Sequence, residues 1–170
     1  MVNKITVAVI VIAIVAIAGA GTYAAITTYG HGTLSLSAAD VPVNANVSAV
    51  YLTFSEISLH STSTGWTNYT MPSRTVDIYG VTLNNSSFLG SLSILAGNYT
   101  MVRVYVSAVS VVVADTNESF NISSHSAFLN HPFNVRAFST THLTFEFNLN
   151  QCLNLNSKVF TPYIGVVVSQ

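Results

Sequence analysis

The chain is 170 residues long, and charged side chains make up 6% of it, with five Lys or Arg against six Asp or Glu. An ordinary soluble domain is about 25% charged. Lys4, Arg74, Arg103, Arg136 and Lys158 are too scattered to form a basic patch, which excludes a nucleic-acid partner held through phosphates. The single cysteine, Cys152, excludes an internal disulfide and reads as a small packed side chain.

Residues 5–18 are aliphatic except for Thr6, and Gly19-Ala20-Gly21-Thr22-Tyr23-Ala24-Ala25 prolongs the run without a charge. About 20 apolar residues at 1.5 Å each cross a bilayer's hydrocarbon core, so 5–25 is long enough to span one as a hydrophobic helix. The same stretch has the parts of a cleaved signal peptide, with Lys4 ahead of it and a cut expected after Ala24. Either way the remainder is exported, and Lys4 sets the N-terminus inside. The expected plan is a signal peptide or transmembrane anchor over 1–25, a linker over 26–31 and one extracellular domain over 32–170. The membrane is thus an expected partner through the first segment.

Past Gly32 the apolar period becomes 2, with turn residues between short runs. Residues 33–37 alternate with Leu34 and Leu36 inward until Asp40-Val41-Pro42 breaks the strand. In 47–60, Val50, Leu52 and Phe54 share one parity and Ile57 and Leu59 the other, which predicts a β-bulge at Ser55-Glu56. Residues 99–113 repeat the switch: Val102, Val104 and Val106 precede Val109, Val111 and Val113. A bend near Ala108 is expected to carry that strand from one sheet to the other. Shorter strands are expected at 65–69, 74–79, 117–122 and 132–138, with turns at Ala96-Gly97-Asn98 and Thr116-Asn117. Residues 83–95 are the one stretch with room for a short helical turn. The cleanest strand is 141–150, where Leu143, Phe145, Phe147 and Leu149 alternate with polar residues; the last, 160–168, carries Ile164, Val166 and Val168 on one face. The fold class is all-β: an immunoglobulin-like or jelly-roll-like two-sheet sandwich of seven to nine strands, preceded by one N-terminal hydrophobic helix.

Asn-x-Ser/Thr occurs at Asn46, Asn68, Asn84, Asn85, Asn98, Asn117 and Asn121, seven of 15 asparagines, where chance in so Ser/Thr-rich a chain gives roughly three or four. These are candidate N-glycosylation sites, and adjacent Asn84 and Asn85 have room for one glycan between them. Trp66 and nearby Tyr69 form a candidate ligand patch for sugar stacking, against the commoner role of a lone tryptophan in the core. Glu56 is the one acid inside a strongly apolar strand; it reads first as a hydrogen-bonded bulge residue and second as a partner contact. His125, His131 and His142 are the nearest approach to a zinc site but read first as exposed loop and strand-edge histidines, and Asp115 and Glu118 with Asn117 bring fewer carboxylates than a calcium loop normally does. No metal, cofactor or catalytic residue is expected, because no nucleophile–base pair or paired carboxylates can be named.

Gly32-Thr33-Leu34 with Asp40-Val41-Pro42, then Ala49-Val50-Tyr51-Leu52-Thr53-Phe54-Ser55-Glu56-Ile57-Ser58-Leu59-His60, resembles the opening of a family of exported archaeal and bacterial β-sandwich domains known as domain of unknown function four-three-eight-two. Leu95-Ala96-Gly97-Asn98-Tyr99-Thr100 with Arg103 is similar to that family's middle, and Pro132-Phe133 and Thr161-Pro162-Tyr163-Ile164 to its end. The resemblance implies an exported or tethered sandwich and no catalytic residues. Gly21-Thr22-Tyr23-Ala24-Ala25 followed by Gly32-Thr33-Leu34 is also similar to the start of camelysin-type matrix-fibre subunits, which implies polymerisation by a donated N-terminal strand.

The expected function is a non-enzymatic cell-surface structural protein for adhesion, envelope or filament, with other envelope proteins or copies of itself as partners. The alternatives are an extracellular carbohydrate- or small-ligand-binding module and a donor-strand-polymerising fibre subunit. Sparse carboxylates leave little to lose on acidification, as on the surface of an acidophilic archaeon.

Overall fold

The computed structural model describes Thr22, residues 30–41 and residues 46–170; the expected helix over 1–25 and most of the linker over 26–31 lie outside them. Twelve strands form three sheets among the described residues. The spine of the first sheet is β2 (Val47–Ser61) paired antiparallel with β5 (Gly97–Val113). Val, Leu and Phe alternate along β2 and Val along β5, and the β-branched valines, stiff at χ1, favour extended backbone. β3 (Gly65–Asp77) pairs with the free side of β2. Two strands share the far side of β5 end to end: β8 (Ser126–Val135) and β6 (Thr116–Ser119). The second sheet runs β12 (Ile164–Ser169), β9 (Thr140–Asn148), β1 (His31–Val41) and β4 (Ser87–Leu95). Three two-residue strands, β7 (Asn121–Ile122), β10 (Leu153–Asn154) and β11 (Val159–Phe160), make a small third sheet. The nine strands of four residues or more meet the expected number, and these three short ones exceed it.

The parity switches read from the sequence are bulges. The register of β2 shifts between Phe54 and Glu56, where Ser55 is the extra residue against β5. Ser107 is its counterpart on β5, where Thr53 opposes Ala108 and Phe54 opposes Val106. Each bulge turns the next residues over, so that Val50, Leu52, Phe54, Ile57 and Leu59 all point inward, as do Val102, Val104, Val106, Val109 and Val111. The strand therefore bends without leaving its sheet, contrary to the crossing expected near Ala108. On β3 the same place holds three residues, Met71-Pro72-Ser73, between Thr70 and Arg74, where β2 has Ser55 alone. This joins the two short strands expected at 65–69 and 74–79, and Pro72 sits at the interruption because it cannot donate to a ladder.

The two large sheets face each other across one core. Leu34, Leu36, Leu143, Phe145 and Phe147 from the second sheet are fully buried against the inward residues of β2 and β5, and the Phe54 and Phe147 rings meet at 5.9 Å. β1 lies in the middle of its sheet, antiparallel to β4 and parallel to β9, with Thr33 opposite Thr140 and Val41 opposite Asn148. Residues 33–37, the stretch a donor-strand mechanism would release, are thus paired on both sides within their own chain. Gly32 is required at the start of β1: a Cβ there would lie 2.3 Å from the Arg136 carbonyl oxygen and 2.7 Å from Val135 Cγ1.

Other departures from the sequence reading are local. Residues 83–95 hold one 3-10 turn, Leu83–Asn85, and then the whole of β4, with Leu89 and Ile94 buried and Ser91 and Ser93 exposed. The β5–β6 turn is at Ala114-Asp115, whose φ values of 46° and 63° suit a two-residue hairpin loop, rather than at Thr116-Asn117. Residues 160–168 are split by Thr161-Pro162-Tyr163, leaving Phe160 in the third sheet and Ile164 in β12. The strand expected over 141–150 ends at Asn148, and Leu149 opens a single helical turn, α1 (Leu149–Cys152).

The glycine geometry gives a paired test. Gly32→Ala should lower unfolding free energy by about 1–3 kcal/mol through overpacking. Gly97→Ala, where a Cβ meets nothing within 4 Å, should be neutral or slightly stabilising. Urea unfolding of the two variants side by side checks the contrast.

Candidate functional site

All seven acceptor asparagines are solvent-exposed. Asn46 precedes β2, Asn84 and Asn85 lie in the 3-10 turn, and Asn98, Asn117 and Asn121 sit on β5, β6 and β7. Asn68 lies on β3, exposed on the open face of the first sheet. Its Oδ1 accepts a hydrogen bond from Ser58 Oγ at 2.7 Å across the β2–β3 pair.

That face brings two exposed aromatic side chains, Trp66 and Phe128, into one cluster. His60 opposes Trp66, Ser58 opposes both Asn68 and Arg103, and Arg103 opposes Phe128, so β3, β2, β5 and β8 each contribute. The Arg103 guanidinium lies 4.7 Å from the Trp66 ring centre and 5.9 Å from that of Phe128, a cation–π arrangement with both. Trp66 and Phe128 are 6.1 Å apart, and the His60 ring meets Trp66 edge-on at 5.3 Å. Beneath them Ser58 is buried although it points out of the sheet. Arg103 Nη1 donates to Tyr105 Oη at 3.4 Å. The hydrogen bonds from Ser58 and Arg103 hold the Tyr105 phenol below its ordinary pKa. His60 Nδ1 shares a hydrogen bond with Thr100 Oγ1 at 2.8 Å. Trp66 remains 39% exposed and Phe128 52%, so the rings are supported from below and open above.

Trp66 and Tyr69 do not share a patch. Alternation puts Trp66, Asn68 and Thr70 outward and Tyr69 inward, opposite buried Ile57. Tyr69 instead lines a cavity of about 390 Å³ with Tyr99, Leu95 and Ser61. Burial pushes the Tyr99 phenol well above its usual range, and its hydroxyl donates to the Leu95 carbonyl at 2.8 Å. The true neighbours of Trp66, namely His60, Arg103 and Phe128, were invisible to sequence reading because they come from three other strands. The one available signal was the outward parity of each within its own run.

The metal candidates are dispersed. His125 precedes β8, His142 is exposed on β9 in the other sheet, and no group of three or more His, Cys, Asp or Glu gathers among the described residues. Glu118 is engaged with Lys158 at 3.0 Å, the single ion pair among the described residues. Glu56 flanks the β2 bulge opposite Tyr105, at the border of the aromatic cluster. Cys152 is buried, its Sγ accepting from the Tyr163 N–H at 3.3 Å and lying 3.4 Å from the Tyr163 carbonyl oxygen. Burial pushes its thiol up to about 11, so the reactive thiolate is suppressed.

The one strongly perturbed acid is Asp40, 5% exposed near the end of β1. Gly80 N–H donates to its Oδ2 at 3.2 Å, while Oδ1 makes no hydrogen bond. Burial pushes its carboxyl up to about 6, with the Gly80 and Leu149 backbone acting against that shift and Asp77 adding to it.

The fold and the face together define a β-sandwich with a sparsely charged surface and an aromatic–guanidinium cluster on one sheet. The chain belongs to the family described as Domain of unknown function (DUF4382), whose model matches residues 31–161. The match begins where β1 begins. Among solved structures, the chain is similar to a candidate cell adhesion protein from Bacteroides ovatus at 10% identity and a TM-score of 0.30, over 83% of this chain and 44% of that one. The chain thus spans less than half the length of that protein. No curated protein matches the sequence, and none of these comparisons bears on the likeness to matrix-fibre subunits.

A carboxyl whose pKa is higher in the fold than in the unfolded chain binds its proton more tightly when folded. Stability from Asp40 is therefore whole below about pH 4 and is lost as pH rises through about 6, a swing of about 3 kcal/mol. Urea midpoints should be higher at pH 4 than at pH 7.5. Asp40→Asn should raise the midpoint at pH 7.5 and change it little at pH 4; a variant keeping the wild-type pH profile would clear Asp40 of the effect.

Proposed function

We propose that this chain is a non-enzymatic, exported cell-surface protein whose β-sandwich serves adhesion or envelope assembly, with N-linked glycans supplying the polarity that charged side chains supply elsewhere. The observation that carries this reading is the exposure of all seven acceptor asparagines on a domain with one ion pair among its described residues. The apolar run over 5–25, whether kept as an anchor or removed as a signal peptide, supports delivery to the outside, where such acceptors are modified. The acid preference of Asp40 suits a surface bathed in an acidic medium, as around an acidophilic archaeon. Within the sandwich class, a parallel β1–β9 pair fits an immunoglobulin-like arrangement better than a jelly roll of two antiparallel Greek keys.

A second reading, a carbohydrate-binding module, draws its support from the Trp66–Arg103–Phe128 cluster alone. Exposed rings, a guanidinium and neighbouring amide and hydroxyl groups are the kinds of contact that hold a sugar.

Peptide mapping of the native protein should find glycan on most of the six non-overlapping acceptor positions. Fewer than two occupied positions would overturn the reading of the surface as glycan-coated. Intact mass of the same sample reports whether residues 1–24 are retained.

A further inference from the structure

Among the seven acceptor asparagines, Asn68 alone has an aromatic residue two positions earlier, in Trp66-Thr67-Asn68-Tyr69-Thr70. On a β-strand a separation of two puts both side chains on one face, and the structure bears this out: Trp66, Asn68 and Thr70 are all exposed on the outer side of β3. The corresponding positions before Asn46, Asn84, Asn85, Asn98, Asn117 and Asn121 are Asn44, Thr82, Leu83, Ala96, Asp115 and Ser119.

The asparagine is also oriented. Ser58 Oγ, buried under the cluster, donates to Asn68 Oδ1 at 2.7 Å and so turns the carbonyl toward the sheet. The amide nitrogen, the atom that carries an N-linked sugar, takes no hydrogen bond among the described residues and faces away from Ser58. Beside it stands a platform of two exposed rings with a guanidinium packed against both. Pyranose rings present a C–H face that packs on aromatic surface, while their hydroxyl and acetamido groups hydrogen-bond to donors such as a guanidinium.

We propose that Asn68 is N-glycosylated and that the first sugars of its glycan lie over the Trp66–Arg103–Phe128 cluster as a covalently held cover for that face. This rests on the reading of the chain as exported. In the modification, Asn68 Nδ2 displaces a polyprenyl phosphate or diphosphate from C1 of a lipid-linked oligosaccharide. The Nδ2–C1 bond forms, the C1–O bond to phosphorus breaks, and the lipid phosphate leaves with the proton given up by the amide. Transfer takes place on the extended segment before β3 pairs with β2. Once folded, the Ser58 bond holds the sugar linkage toward the rings. The face is then closed to an outside sugar, which separates this proposal from the carbohydrate-binding reading.

The lone tryptophan makes the cover measurable, since Trp66 is the sole indole in the chain. The full chain is produced in a host with a membrane oligosaccharyltransferase, alongside Thr70→Ala, which removes the acceptor sequence and leaves Asn68 and Ser58 in place. Site-resolved mapping should find Asn68 occupied. Acrylamide should quench the wild-type indole about 2- to 3-fold less than that of the variant, and melting should drop by about 2–4 °C in the variant. Trimming the glycan to its first sugar should preserve most of the protection. Trp66→Leu, which keeps apolar bulk, should abolish the melting difference between glycosylated and unglycosylated chains. If the other asparagines are occupied and Asn68 is bare, the proposal falls and the face is left open to a free sugar. An occupied Asn68 with unchanged quenching also overturns it. If no asparagine is occupied, the exported, glycan-coated reading fails with it.

Discussion

The matched bulges at Ser55 and Ser107 hold the sandwich together. β2 and β5 are 15 and 17 residues long, and an unbroken period of 2 over that length would force half of their large apolar residues into solvent. One extra residue on each strand, at the same height, turns Ile57, Leu59, Val102 and Val104 to the face already occupied by Val50, Leu52, Val109 and Val111. The bulges keep two parity sets in one core, and they bend the sheet over its partner so that Phe54 reaches Phe147. The triplet Met71-Pro72-Ser73 lets β3 follow the same bend.

These features differ in how far the sequence discloses them. A parity switch is local, so the bulge at Ser55 is readable from Val47–Ser61 alone; whether it marks a bend or a change of sheet depends on the partner strand, which no local pattern reports. β4 was hidden because Ser87–Leu95 carries only Leu89 and Ile94 fully inward, with Gly90 between them weakening the alternation. Tyr69 and Trp66 look like neighbours along the chain, yet three residues apart on a strand means opposite faces. The Ala114-Asp115 turn lacks the glycine that usually marks such a hairpin, so Thr116-Asn117 drew the expectation in its place.

The polar chemistry follows from a chain that uses charge sparingly. Arg103 finds no carboxylate within ion-pair distance and settles on two rings, while Arg74 lies 5.5 Å from the ring centre of Phe88, joining an edge of each sheet. Guanidinium groups stacked in this way keep their attraction when carboxylates are protonated, because a ring quadrupole does not titrate. Asp40 leans the same way, since its burial favours the neutral acid. Cation–π contacts and a buried acid thus take roles that salt bridges fill in more highly charged domains.

The parallel pairing of β1 with β9 has a consequence for how the chain acquires its shape. Thr33 meets Thr140, so the sheet's central contact joins residues more than a hundred positions apart. Closing so long a loop costs entropy before any contact repays it, and folds dominated by such contacts form slowly. β1 is the first described strand to leave the synthesising machinery, yet one of its two neighbours arrives only after β2 to β8 have been made. Until then its leucines, Leu34 and Leu36, have half a sheet to rest on. The β2–β3 hairpin, with β5 added to it, can assemble early from nearer partners. The second sheet is completed late, when β9 slides in beside a strand that has been waiting for it.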